Sequence, residues 1–189
     1  MTQYIFGYGS LICKSSRDKT TSSGKAYSVR IKGIERSWSL VVKHLGATAL
    51  GATPNNNSFC NGVIFEVTKK ELKEFDKREF EADYSRIKLD KKNITFLKRK
   101  TVINGHIYTY VTNHPSKASK ANPLIQSYID VILTGCLEIS KDFAKEFITT
   151  TKGWSKHWIN DRLNPKYPRA MKKIKYKKTI DSLLKNLRK

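Results

Sequence analysis

The segment Tyr4-Ile5-Phe6-Gly7-Tyr8-Gly9-Ser10-Leu11, near the start of the chain, sets the first expectation for the fold. A short apolar run that stops at glycines is typical of a strand leading into a tight turn. Gly7 and Gly9 would let the backbone approach a ligand closely, and successive N–H groups in such a turn can bind an anion. Glycine turns after edge strands are also common without a ligand, so both interpretations stay open.

Strand patterns dominate the first two thirds of the chain, and helix patterns dominate the last third. Strands are predicted at residues 26–31, 37–42, 61–67 and 84–89, and Asn104-Gly105 predicts a hairpin between residues 95–103 and 106–112. Helices are predicted from Asn122-Pro123, from Ser140 and over about residues 176–187, with Gly135 ending or interrupting the first. The expected class is α+β, with a mixed-sheet core at residues 1–113 and a helical extension at 114–189 packed on the same domain.

Charge is the most unusual feature of the composition. The 189 residues include 37 Lys and Arg against 16 Asp and Glu, a formal charge of +21. Residues 165–189 hold ten of the basic residues and one acid, so this tail contributes +9. A chain this basic attracts nucleic acid through its electrostatic field alone. One expectation is therefore that the basic tail contacts nucleic acid. A solvated amphipathic helix is the simpler explanation of the tail.

Composition and targeting patterns narrow the class of protein further. A hydrophobic fraction of 39% argues against wholesale disorder. Three widely spaced cysteines disfavour a disulfide framework and a structural zinc site. The sequence shows neither a signal-peptide pattern nor an apolar run long enough to span a membrane, so the expected location is the cytoplasm.

The scarce carboxylates gather in one region. Seven of the 16 fall within residues 71–90. Thr68 and Glu71 form a capping-box pattern that predicts a short helix ending near residues 76–77. Glu79 would then lie in a loop between Phe75 and Phe80, and apolar rings would raise the pKa of its carboxyl, as a general base near neutral pH requires. A solvated acidic loop is the competing interpretation.

Several familiar site patterns do not occur. The sequence has no GxxxxGK[ST] phosphate loop, no HExxH, no GxSxG, and no two histidines within four residues of each other. The sequence therefore carries no local signature of a metal site, of a phosphate-binding loop or of a hydrolase nucleophile.

The remaining motifs, taken together, resemble the γ-glutamylcyclotransferase family. They are FGYGSL at residues 6–11, GIERSW at 33–38, ATPN at 52–55 with NGVIFEV at 61–67, and the Glu-Leu … Phe-Asp-x-Arg-Glu … Tyr run that ends at Tyr84. They occur in the family's order over about residues 4–89. Residues 149–154 and 160–169 are also similar to an extension seen on some bacterial and plant members.

The resemblance implies a small mixed sheet closed into a barrel-like shape with helices around it. It also implies an enzyme without cofactor that converts a γ-glutamyl amide to 5-oxoproline and releases the amine. Glu79 is implied as the general base and Tyr84 as a pocket residue. The turn is implied to hold the substrate carboxylate, through Tyr8, Gly9, Ser10 and Leu11.

Two features depart from the family pattern. Phe80 stands where many members have glycine, and Glu81 is a rival to Glu79 as the base. Arg36 and Trp38 could reach the pocket rim, but on a strand they could equally pack or face solvent.

The sequence is also compatible with a function other than catalysis. A catalytically inactive member of this fold could bind nucleic acid or an acidic partner through the basic tail. For an active enzyme, the leaving group could be that of glutathione, of a γ-glutamyl amino acid or of a γ-glutamyl amine. The sequence does not determine the oligomeric state.

Overall fold

A computed structural model describes residues 2–98 and 101–187 of the chain. Its strands are β1 (Thr2–Gly7), β2 (Ala26–Val42), β3 (Ala47–Val67), β4 (Tyr84–Leu89), β5 (Ile94–Phe96), β6 (Gly105–Thr112), β7 (Leu124–Ile125), β8 (Thr151–Lys152) and β9 (Trp158–Ile159). Its α-helices are α1 (Lys14–Asp18), α2 (Lys69–Phe80), α3 (Gln126–Ile139), α4 (Lys141–Thr150) and α5 (Lys177–Leu184).

One mixed sheet organises the first two thirds of the chain. Its main strand order is β4-β6-β1-β3-β2-β5. The long strands β2 and β3 pair antiparallel, and β1 lies between β3, antiparallel, and β6, parallel. Ile5 and Phe6 of β1 are fully buried, because a central strand with covered faces excludes solvent from both its sides. The turn that follows β1 therefore starts from the middle of the core.

The mixed α+β class predicted from the sequence is confirmed, but the sheet is not closed into a barrel. The order runs from β4 at one edge to β5 at the other, and these two strands do not pair within the described residues. Closure requires the edge strands to hydrogen-bond to each other. The core is therefore an open sheet.

The predicted hairpin at Asn104-Gly105 is wrong in its pairing. Strand β6 does begin at Gly105, but it pairs with β1 and β4, whereas β5 pairs with β2. Residues 99–100 of the predicted partner strand lie outside the described part of the chain. Long-range pairing at the sheet centre prevails here over a local turn preference.

Helix α3 connects the sheet to the carboxy-terminal part. It begins at Gln126 and not near Asn122-Pro123, because Leu124 first pairs with Thr48 of β3. It continues through Gly135, where an added Cβ would lie 2.6 Å from the backbone of Cys13. Glycine at this position allows α3 to pack directly beneath the segment that follows β1.

The other helices follow local signals more closely. Ser140 caps α4, accepting a hydrogen bond from the N–H of Phe143 at 3.0 Å, as predicted. Helix α5 packs its apolar stripe inward, with Ile180 and Leu184 fully buried. No helix in residues 2–98 and 101–187 combines the length and apolar character that crossing a bilayer requires.

Candidate active site

The turn after β1, residues 7–12, forms the floor of the site, and we call it the floor turn. After Gly9, residues Ser10–Ile12 make one turn of 3₁₀ helix. The first N–H groups of such a turn have no acceptor inside it and so are available to a ligand. A Cβ at Gly7 would lie 2.5 Å from the Cβ of Leu11, so only glycine lets the turn fold back on its strand.

Two buried arginines hold the floor turn from behind. Arg17 donates from Nη1 to the carbonyls of Leu11 and Ile12, at 2.7 and 2.9 Å. Arg36 donates from Nη1 to the carbonyl of Tyr8 at 3.2 Å. These bonds turn carbonyl oxygens of the turn towards the protein interior, away from the cavity.

Arg36 is fully buried and is satisfied almost entirely by neutral oxygens. It donates to both the backbone carbonyl and Oδ1 of Asn61, to the carbonyl of Phe147 and to the hydroxyls of Thr150 and Thr151, all within 2.6–3.0 Å. Its guanidinium also stacks on the Phe147 ring at 3.8 Å. Arg36 and Trp38 therefore pack in the core and do not face solvent, since both side chains are 1% exposed or less.

Glu79 lies in the last turn of α2. The capping box of Thr68 and Glu71 is present as predicted, but α2 continues to Phe80 and does not end near residues 76–77. The Glu79 side chain is 12% exposed, and its Oε1 lies 3.0 Å from Nε of Arg78. Burial raises the pKa of the Glu79 carboxyl, and the positive charges of Arg78 and Arg169 partly oppose that rise.

The aromatic surroundings of Glu79 differ from those predicted. Phe75 packs into the core against Phe65, with ring centroids 5.4 Å apart, and Phe80 is 52% exposed. The rings near Glu79 are instead tyrosines from the floor turn, from two strands and from α3, namely Tyr8, Tyr84, Tyr110 and Tyr128.

A small recess brings the predicted residues together. This inner recess, of about 30 Å³, is lined by Phe6, Gly7, Tyr8, Gly9, Ser10, Leu11, Leu50, Glu79, Tyr84, Tyr110 and Tyr128. Tyr8 donates its hydroxyl hydrogen to the carbonyl of Tyr110 at 2.8 Å, and Tyr84 donates to the carbonyl of Leu50. Burial raises the pKa of both phenols well above the ordinary range, which keeps them neutral. The recess is therefore a mainly aromatic cavity with one carboxylate and the floor turn at its walls.

A larger cavity of about 370 Å³ adjoins the inner recess and shares Ser10, Glu79, Tyr84 and Tyr128 with it. We call it the outer cavity. Its volume lies within the range of small-molecule sites. A larger groove of about 840 Å³ lies elsewhere, between Lys14 and Val102, but it lacks both Glu79 and the glycines of the floor turn. The two smaller, adjoining cavities are therefore the candidate site, because Glu79 lines both and the glycines of the floor turn line the inner one.

Arg78 links the floor turn to Glu79. Its Nη2 donates to Oγ of Ser10 at 3.0 Å, its Nη1 donates to Oγ1 of Thr20 at 2.8 Å, and its Nε faces Glu79. One guanidinium thus fixes the distance between the carboxylate and the turn.

All six site residues predicted from the sequence line the inner recess, namely Tyr8, Gly9, Ser10, Leu11, Glu79 and Tyr84. Glu81, the rival base, is exposed and lines only the outer cavity. Sequence reasoning missed Arg78, Arg169, Tyr110 and Tyr128. Arg78 adjoins Glu79 in the sequence, but no local pattern distinguishes the other three.

A metal site was not expected, and the described residues hold no group of three His, Cys, Asp or Glu side chains placed to bind one ion. The polar groups at the recess are a carboxylate, a guanidinium, backbone amides, and serine and tyrosine hydroxyls. This set is suited to acid–base chemistry on an anionic small molecule.

Comparison with solved structures identifies the fold. A structure titled γ-glutamyl cyclotransferase superposes with a TM-score of 0.63 at 12% identity, over 79% of this chain and 88% of that one. An uncharacterized protein from Homo sapiens gives a TM-score of 0.63 at 13% identity with the same coverage. YkqA from Bacillus subtilis gives 0.57 at 18% identity, over 78% of this chain but 53% of its own length.

Comparison by sequence gives the family. No curated protein matches the chain significantly. The family model described as "Gamma-glutamyl cyclotransferase, AIG2-like" matches residues 5–128, which include the floor turn, Glu79 and Tyr84. This match covers well over half of the sequence, so the chain belongs to the AIG2-like γ-glutamyl cyclotransferase family.

Proposed function

We propose that this protein is a γ-glutamyl cyclotransferase that converts a γ-glutamyl amide to 5-oxoproline and releases the amine, with Glu79 as the general base. One observation carries the proposal: Glu79 and the floor turn face the same recess, and Arg78 bridges them. A carboxylate beside an anion-binding turn matches a substrate that offers a carboxylate and an ammonium group on one carbon.

The reaction needs no group beyond those of the substrate and the protein. Glu79 accepts a proton from the substrate's α-ammonium group, and the freed nitrogen attacks the γ-carbonyl carbon. A new C–N bond closes the five-membered ring, and Glu79 passes its proton to the departing nitrogen as the bond to that nitrogen breaks. The ring nitrogen then loses its second proton, which the released amine takes up to leave as an ammonium ion. Because the nucleophile and electrophile belong to one molecule, fixing the substrate conformation supplies much of the rate.

The floor turn holds the α-carboxylate in this proposal. The inner recess of about 30 Å³ has room for a group of that size but not for a whole substrate. The raised pKa of Glu79 keeps the carboxylate basic enough to take a proton near neutral pH. Gly9 keeps the turn open, since an added Cβ would lie 3.3 Å from the hydroxyl oxygen of Tyr128.

The test is release of 5-oxoproline from a panel of γ-glutamyl amino acids, γ-glutamyl amines and glutathione. We expect wild-type turnover on part of the panel, and a loss of about 10²- to 10⁴-fold in kcat for Glu79→Gln, the range that general-base catalysis contributes. If neither the wild type nor Glu79→Gln releases 5-oxoproline from any compound of the panel, the proposal is overturned.

The basic tail stays a separate prediction. Within it, Ile180 and Leu184 are buried and Asp181 pairs with Arg162, so α5 is docked on the domain. Titration of the protein with an oligonucleotide at two salt concentrations distinguishes specific nucleic-acid binding from the non-specific attraction that any basic protein shows. Binding that is lost at the higher salt concentration and shows no base preference would indicate only non-specific electrostatic attraction.

A further inference from the structure

The outer cavity has a wall that comes from residues 160–169, beyond the part of the chain that matches the family. We call this segment the outer wall. Asp161 fixes it to the start of α3, accepting hydrogen bonds from the N–H and hydroxyl of Ser127 at 2.8 and 2.6 Å. Arg162 donates to both carboxylate oxygens of Asp130 at 2.7 Å. The wall is therefore held in place by buried polar contacts on α3.

Tyr167 and Arg169 bring this wall to the cavity. The Tyr167 ring meets Tyr128 edge to face, with centroids 4.8 Å apart, and both residues line the outer cavity together with Arg169. The segment that carries Arg169 is thus held both by the hydrogen bonds of Asp161 and Arg162 to α3 and by the ring contact between Tyr167 and Tyr128.

Arg169 has capacity for a ligand that the protein does not use. The Tyr167 phenol lies close to the Arg169 guanidinium and favours its charged form, but the buried Nε of Arg169 has no hydrogen-bond partner among the described residues. Arg78 lies close enough to repel it. A partly buried cation with an unused donor is a strong site for a carboxylate.

The charges around Glu79 leave room for an anion. The outer cavity is lined by the cations Lys19, Lys77, Arg78 and Arg169 and the carboxylates Glu74, Glu79 and Glu81, which leaves one positive charge in excess. Near the proposed base, the guanidinium groups of Arg78 and Arg169 both stabilise the charged form of the Glu79 carboxylate. One of them, Arg78, already bridges Glu79 and Ser10, so of these two guanidinium groups Arg169 is the one left for a second anionic group.

The order of the two cavities sets which end of the substrate meets Arg169. If the α-carboxylate enters the inner recess, the scissile amide lies near Glu79 at the junction. The leaving group must then extend into the outer cavity, where Leu45 and Ile125 supply apolar surface and Arg169 supplies charge.

We infer that Arg169 binds the carboxylate of the departing amino acid or peptide. The substrates are then γ-glutamyl amino acids or short γ-glutamyl peptides with a free carboxylate on the leaving side, rather than γ-glutamyl amines. This inference rests on the proposed function, and it assigns specificity to a residue outside the matched family region.

The test compares γ-glutamyl-alanine with γ-glutamyl-alanine amide, which has the same shape but no leaving-side carboxylate. Wild type should favour the acid by about 10- to 100-fold in kcat/KM, chiefly through KM, as expected for a charge-assisted hydrogen bond. In Arg169→Met the ratio should fall to about two or less, and Arg169→Lys should retain part of it. Using the ratio removes any common effect of Arg169 on the basicity of Glu79.

Lys172→Met is the matched control, because Lys172 is an exposed cation near Arg169 that does not line the cavity. It should keep the wild-type ratio. An equal fall in both substrates for Arg169→Met, with the ratio kept, would indicate a structural role and overturn the inference.

A binding measurement separates this inference from the proposed function. Calorimetry of Glu79→Gln with the two compounds should show tighter binding of the acid, and Arg169→Met in that background should abolish the difference. Turnover of both compounds with a ratio near one overturns the inference and leaves the proposed function standing. No 5-oxoproline from any substrate of the panel overturns both.

Discussion

Arginines lie both behind the floor turn and at the outer wall, but the protein uses the two sets differently. Behind the floor turn, Arg17 and Arg36 are buried, and their bonds go to backbone carbonyls and to side chains of the protein. At the outer wall, Arg169 is only partly buried and keeps a donor without a partner in the described chain. The first set shapes the site, and the second faces the space that a substrate would fill.

The contrast shows that the distance of a cation from the candidate active site does not define its role. The role of each arginine is defined by the number of hydrogen-bond acceptors that the protein places around its guanidinium. Arg36 has its nitrogens engaged and should matter for stability, whereas Arg169 should matter for substrate choice. Arg78 lies between these extremes, since it bonds to the turn and also faces Glu79.

Removing Arg36 should have the largest effect on stability. In Arg36→Met the backbone carbonyl and the side-chain Oδ1 of Asn61 both lose the guanidinium donor in a dry core. Each unsatisfied buried group costs about 1–3 kcal/mol, so we expect a fall of about 3 kcal/mol or more in the free energy of unfolding. Urea denaturation at neutral pH measures this change.

Arg30→Met is the control for that variant. Arg30 makes a half-exposed ion pair with Glu146 on the neighbouring surface, and such pairs contribute about 0–1 kcal/mol. Comparable losses in both variants would contradict the structural role assigned to Arg36.

Removing Arg78 should shift the pH profile of turnover. Arg78 lowers the pKa of Glu79, so Arg78→Met should raise that pKa further. The base must be ionised to act, so the acid limb of kcat/KM should move to higher pH. Initial rates across mildly acidic pH measure the shift, and Lys73→Met, an exposed site on α2, should leave the limb in place.

Glu79→Gln should stabilise the fold at neutral pH while it removes activity. The pKa of Glu79 is higher in the folded protein than in the unfolded chain, so the folded state binds more protons between the two values. Wild-type stability then falls as the pH rises through that window, whereas the glutamine variant has no such dependence. Thermal unfolding should give a higher Tm for Glu79→Gln at pH about 7.5, and the difference should vanish below pH about 4, the ordinary range of the unfolded glutamate.

The smallest effect is expected at Glu81. Its exposed side chain does not line the inner recess, so Glu81→Gln should keep kcat/KM within about twofold and stability within about 0.5 kcal/mol. A loss as large as that of Glu79→Gln would instead assign the base to Glu81.

Local signals in the sequence predicted the features that depend on local contacts. The Thr68–Glu71 capping box and the Ser140 cap each involve backbone and side chains only three residues apart. The end of α2 was missed because no helix breaker follows Lys77. The pairing of β6 was missed because β1 competes successfully for it from a hundred residues away.

The candidate site likewise has a part that local sequence motifs predict and a part that depends on long-range contacts. The floor turn and Glu79 are each short contiguous motifs, so a family resemblance could place them. The contribution of Arg169 depends on the docking of residues 160–169 on α3, ninety residues after Glu79 in the chain. No pattern within the tail distinguishes its inward-facing arginine from the surrounding basic residues.

The pairing of Asp130 with Arg162 has a consequence for how far the chain could be shortened. The Asp130 side chain is 2% exposed, and its charged partner comes from beyond the region that matches the family. A version ending at residue 159 would leave that carboxylate without its cation in the interior, at a cost of about 3–5 kcal/mol. We therefore expect a truncated sheet core to fold poorly alone, so that shortened variants would report on folding rather than on the contribution of the tail to catalysis.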